Sequence, residues 1–111
     1  METNTEVDAA WERLCDAMLA RHPEMTPGKM MTADALTLGG KVVVFRSRRN
    51  GHGLGCKIVG SDPGAHGAGD WKPLKPWADK AAMRDWYVVG LGEDWMRIAE
   101  AALESAREVA E

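Results

Sequence analysis

Apolar residues recur at three- and four-residue spacing near the start of the chain, so that Val7, Ala10, Trp11, Leu14, Cys15 and Met18 share one face. That spacing predicts an amphipathic helix over about Glu6 to Arg21. Thr5, followed three residues on by Asp8, gives it a capping-box-like start. Pro23 ends it, because the residue before a proline avoids the α region, and Pro27-Gly28 reads as a turn. From there the period shortens towards two. Met30 to Leu38 is predicted as a first strand, Gly39-Gly40 as a two-residue hairpin turn, and Lys41 to Arg48, with three valines and Phe45, as the clearest strand. Asn50-Gly51 is a second hairpin signal. Leu54 to Val59 follows as a strand with Leu54, Cys56 and Ile58 on one face and Lys57 on the other.

Four glycines and a proline between Gly60 and Asp70 predict a loop, and Pro73 and Pro76 keep Trp71 to Trp77 extended or irregular. Met83 to Val89 reads as the last strand, with Arg84, Trp86 and Val88 alternating against Asp85, Tyr87 and Val89. Trp86 is expected between the sheet and a helix. A final helix over about Glu93 to Ala110 carries Trp95, Ile98, Ala99, Ala102, Ala106 and Val109 on its apolar face, with Glu93 and Asp94 placed to suit its dipole. The expected architecture is α+β in two layers: an antiparallel sheet of about four to five strands, with the N- and C-terminal helices packed on one face. A single domain over residues 1–111 accommodates all of it.

Composition sharpens this outline only where it excludes classes. Hydrophobic residues at 45% and charged residues at 28% are ordinary for a globular domain and speak against disorder. No apolar run approaches the roughly 20 residues that a membrane span needs. The acidic, polar start Met-Glu-Thr-Asn-Thr-Glu lacks the features of a secretion signal, so a cytoplasmic location is expected. Cys15 and Cys56 then read as two separate thiols. The net charge of −3 conceals a pattern. Residues 1–25 set six carboxylates against two arginines, residues 40–84 set nine cations against three aspartates, and residues 85–111 set seven carboxylates against two arginines. A basic middle between acidic ends marks either an interaction surface or acidic helices lying against a basic sheet.

Several stretches are familiar in their order: Lys29-Met30-Met31; then Gly40-Lys41-Val42-Val43-Val44-Phe45; then Lys80-Ala81-Ala82-Met83-Arg84-Asp85-Trp86-Tyr87-Val88-Val89 ahead of the helix with Trp95. From about Met18 onward the chain resembles the TfoX-like N-terminal domain family, related to the MmcQ/YjbR-like proteins. That family has a Met-containing first strand after a helix, a Gly-Lys hairpin into a hydrophobic strand, and a basic-x-x-Met-x-x-Trp-Val-Val strand before its last helix. Here Met30-Met31-Thr32-Ala33 stands where the family often has Met-Phe-Gly-Gly, and the glycine-rich stretch 60–69 stands where it has a helix. The shared motifs are structural. The resemblance implies a small two-layer α+β fold in a family mostly without assigned chemistry.

Candidate chemistry is sparse. His22, His52 and His66 lie in separate segments, none with a second ligand at metal-binding spacing, so they read as solvated loop residues and no metal or cofactor is expected. Gly39-Gly40-Lys41 and Gly51-His52-Gly53-Leu54-Gly55 join strand to strand, whereas a phosphate loop leads into a helix whose N-terminus faces the anion. Cys56 alternates with core residues and lacks a visible base, and G-x-S-x-G is absent. What is left is a candidate interaction surface: Arg46, Arg48 and Arg49 with Lys57, and Trp71 and Trp77 among lysines and prolines. The tryptophans either stack on a partner or pack over the sheet edge, and the arginines either meet phosphates or deter edge-to-edge pairing. The expected function is a small non-enzymatic binding or regulatory domain acting through protein contacts, including self-association as a homodimer. The alternative is a nucleic-acid-associated regulatory domain using a basic sheet or hairpin surface.

Overall fold

The computed structural model describes residues 4–30, 32–47, 53–75 and 81–110. Its elements run helix α1 (Asn4–Arg21), strands β1 (Met25–Met30), β2 (Ala33–Leu38), β3 (Lys41–Ser47) and β4 (Gly53–Lys57), a single 3-10 turn (Pro63–His66), strands β5 (Trp71–Pro73) and β6 (Trp86–Val89), and helix α2 (Trp95–Ala110). The six strands form one sheet in the order β1-β2-β3-β4-β6-β5, and every neighbouring pair is antiparallel. The class is therefore α+β, with six strands where the sequence pattern indicated four or five.

The additional strands come from two misread segments. Pro27 and Gly28 do not turn the chain; they lie inside β1, opposite Leu36 and Ala35. A proline is tolerated there because β1 is an edge strand with no neighbour on its outer side. Gly28 has its own reason to lack a side chain, since a Cβ would approach Thr37 Cγ2 to 2.8 Å. Thr37 is buried and its hydroxyl lies 2.8 Å from that of Thr26 across the pair. At the other edge, β5 adds Trp71 to Pro73 outside β6.

Gly39 and Gly40 turn β2 into β3 with φ values of 60° and 84°, the left-handed pair that a two-residue hairpin requires. A bulge between Leu36 and Thr37 shifts the register so that Leu36 faces Val44 but Thr37 faces Val42. Val43 and Val44 consequently both join the core beneath the helices, while Val42 and Phe45 belong to the opposite face. The hairpin signal Asn50-Gly51 lies outside the described residues.

Both helices cover the same sheet face. Val7, Trp11, Leu14 and Met18 of α1 and Trp95, Ile98, Ala99, Ala102 and Leu103 of α2 close over Leu36, Val43, Val44, Leu54, Cys56 and Val89. The far face is not left to solvent. Phe45, Ala35, Val88 and Leu74 form a second buried cluster, flanked by Met83 and Trp86. Leu74 and Met83 are brought there by a return of the chain pinned by Leu74 N–H to Trp86 O (3.0 Å) and Met83 N–H to Leu74 O (2.8 Å). Trp86 thus sits against Phe45, ring centroids 5.8 Å apart, on the side of the sheet away from the helices. The expectation that it packs under a helix is corrected: the opposite phase of the alternation, Tyr87 and Val89, faces the helices.

Candidate interaction surface

The basic and aromatic residues singled out by the sequence do not converge. Arg46 shares the helix-facing side of β3 with Val44, and the first turns of α1 close over it, leaving 1% of its side chain exposed. Its guanidinium pairs with Asp8 of α1. Arg46 is therefore a tie between helix and sheet rather than part of a surface, because alternation on β3 points it into the layer that α1 covers. Arg48, Arg49 and Trp77 lie outside the described residues. Lys57 is directly opposite Trp86 in the β4–β6 register and sets its ammonium 5.9 Å from that ring's centroid, on the helix-free face. Trp71 packs on the other side, edge-on to Tyr87 at 5.5 Å, where it helps wall the main core. Lys57 and Trp71 are thus separated by the sheet.

Among the described residues, which do not include His52, the cysteines and histidines are engaged or inert. Burial pushes the Cys56 thiol up to about 12. Burial, with Asp16, Asp34 and Glu12 adding their negative field, pushes the Cys15 thiol to about the same value. Both stay protonated near neutral pH, and neither is a thiolate nucleophile there. His22 is far from solvated, with 16% of its side chain exposed. Its Nε2 meets the Glu100 carboxylate at 2.9 Å and its Nδ1 lies 3.3 Å from the Arg107 guanidinium. A neutral imidazole protonated on Nε2 satisfies both contacts. Arg107 also pairs with Glu24, whose carboxyl is held below its ordinary range by its own backbone N–H and then by that guanidinium. These contacts bind the end of α1 to α2. His66 is met by the Ser61 hydroxyl at 3.0 Å. Among the described residues no three His, Cys, Asp or Glu side chains are placed to hold a metal ion.

One open concavity was invisible in the sequence. It is a groove of about 630 Å³ between α1 and the segment that starts α2. One wall is the side of α1 adjoining its buried face, with Ala9 and Ala10 between the charged Glu6 and Arg13, and Ala17 one turn beyond; the other is Leu91, Trp95 and Met96. The wall is fixed by local bonds. Trp95 Nε1–H donates to Gly90 O at 2.8 Å, and the Glu93 carboxylate accepts from Gly69 and Asp70 N–H at 3.1 and 2.7 Å. The indole and Glu93 therefore have their polar atoms occupied, and the floor of the groove is apolar. The only hint in the sequence was a row of alanines beside the apolar face of α1, which as a pattern says nothing about what stands opposite.

No protein-family model matches this chain, and no curated protein or solved structure matches it either. No helix among the described residues is long and apolar enough to cross a membrane.

Proposed function

We propose that this chain is a small non-enzymatic binding domain, cytoplasmic and of the TfoX-like N-terminal kind, that acts through protein contacts at the groove between α1 and the start of α2. The observation that carries this reading is the groove itself: apolar along its floor, open to solvent, and rimmed by Glu6 and Arg13. Both rim residues are exposed, and neither forms an ion pair with another described residue. Apolar surface bordered by uncommitted charge is the composition of a protein contact. The high thiol pKa values and the structural employment of His22 point the same way, since they take the strongest nucleophiles and bases out of play. Free, separate thiols suit a reducing compartment.

A photoactivatable cross-linker placed at Ala17 is expected to yield discrete protein adducts in extracts of the producing cells. The same probe at Lys29, on the far edge of the sheet, is expected to yield none. Absence of protein adducts from Ala17 would sink the reading.

A second reading rests on the helix-free face. Lys57 lies over Trp86 there, and Lys72 shares that face because it stands directly opposite Val88. Cations beside an aromatic ring fit a nucleic-acid strand. Binding of labelled single-stranded or duplex DNA that persists at physiological salt and is lost in Lys57→Glu would favour this face over the groove.

A further inference from the structure

We infer that the groove receives α1 of a second copy of this chain, antiparallel to the first, about a two-fold axis at Ala9 and Ala10. The inference rests on the protein-contact reading and names its partner. Glu6, Ala9, Ala10, Arg13 and Ala17 line the groove from a single side of α1. In an antiparallel pair related by a two-fold axis, residue i of one helix meets residue j of the other with i + j constant. Placing the axis between Ala9 and Ala10 sets Glu6 against Arg13 of the second copy, and Arg13 against its Glu6. One stripe thus supplies two ion pairs of correct sign. A parallel pairing sets Glu6 on Glu6 and Arg13 on Arg13, and both contacts repel.

The residues at the crossing suit this geometry. Alanine at the axis lets two helices approach to the short end of the usual ~8–10 Å separation. Leu91 and Met96, on the opposite wall, then flank the incoming helix with apolar surface. Glu93, the other carboxylate at the groove, is held by two backbone N–H groups and does not compete for Arg13. A helix from an unrelated protein has no reason to carry the complementary charges at this spacing, whereas a second copy carries them by symmetry.

Sedimentation equilibrium and light scattering on the full chain test the inference. The wild type is expected at twice the chain mass of 12.1 kDa. Glu6→Arg and Arg13→Glu, each alone, are expected to weaken the dimer about 10- to 100-fold by placing like charges together. The double variant Glu6→Arg/Arg13→Glu restores opposite signs and is expected to return the dissociation constant to within about threefold of wild type. Ala9→Glu, which puts a charged chain at the axis, is expected to give a monomer. All three positions of substitution are on the solvent side of α1, and an unchanged far-ultraviolet spectrum and melting temperature verify the fold. A wild-type monomer at high micromolar concentration overturns the inference, as does a dimer indifferent to the single reversals or not rescued by the double one. A monomer that still forms adducts from Ala17 with a different protein would overturn the second copy as occupant while sparing the protein-contact reading; absence of adducts sinks that reading itself.

Discussion

Arg46 illustrates what a single side chain decides in this fold. It is among the largest fully buried side chains, yet its ion-pair partner Asp8 keeps 47% of its own side chain in water. Breaking a wholly buried pair typically costs about 3–5 kcal/mol, because one charge is left without a partner in a medium that solvates it poorly. Water at Asp8 weakens the attraction here, so Asp8→Ala is expected to cost less, about 1–3 kcal/mol. Arg46→Met removes the charge and keeps much of the packing volume, so it is expected to be the milder change of the two. Arg46→Glu sets a second carboxylate beside Asp8 inside the helix-sheet layer and is expected to abolish folding. Urea midpoints in the order wild type, Arg46→Met, Asp8→Ala check this; Asp8→Ala matching wild type would mean that the pair does not hold α1 to the sheet. The position was misread from sequence because a strand with charge at alternate positions looks half-solvated. Whether a helix lies over that side is settled by the register and by α1, neither of which is local to Arg46.

At the scale of elements, what was legible depended on how local the cause is. The Gly39-Gly40 hairpin, the valine-rich β3 and the amphipathic α2 follow from backbone preference and apolar period, and all three stand where the pattern put them. Strand β1 was hidden because Pro27 and Gly28 are turn formers in isolation and acceptable strand residues only at an edge. Strand β4, by contrast, was legible from the alternation of Leu54, Cys56 and Ile58, and it stands at Gly53–Lys57. What the pattern did not give is the role of Gly55, which lies beneath the Phe45 ring, directly across the β3–β4 pair. A Cβ there would come within 2.1 Å of that ring. Phe45 is itself held by Trp86 and the second cluster, so it has little freedom to withdraw. Gly55→Ala is expected to destabilise by about 1–3 kcal/mol, the usual cost of overpacking. Gly92→Ala is its control: no atom lies within 4 Å of the added methyl and its φ is not in the left-handed region. That substitution is expected to be neutral or to stabilise by up to about 1 kcal/mol through the unfolded chain. Thermal or denaturant unfolding of the two variants should therefore move in opposite directions or leave only Gly55→Ala displaced.

Across the whole molecule, the sheet separates two environments. The helix side holds the main core and, through His22, Glu100 and Arg107, a polar clasp between the end of α1 and the middle of α2. The groove and the second apolar cluster are products of this assembly. Each joins segments distant in sequence, α1 with residues 91–96 and β3 with the return after Leu74, and no spacing within one segment encodes either meeting. The assembly also bears on stability in alkali. Cys56, fully enclosed in the main core, has its thiol pushed by burial from an ordinary 9.0 to about 12. A raised folded-state pKa means that the unfolded chain loses this proton first. The stabilising difference is fully present below about pH 9 and is lost as pH rises from there through about 12. The slope attributable to Cys56 approaches at most about 1.4 kcal/mol per pH unit, the value for one proton. Cys15 is shifted in the same direction but lies partly in water on the flank of α1, so its share is smaller. Tyr87, also raised by burial and then by Asp85, Asp62 and Cys56, adds to the same limb. Unfolding free energies measured from pH 8 to 11 should be level at first and then fall. Cys56→Ala is expected to lower the plateau by the cost of its cavity yet flatten the descent, while Cys15→Ala changes the descent less. A descent of undiminished slope in Cys56→Ala would show that the buried thiol is not what limits this fold in alkali.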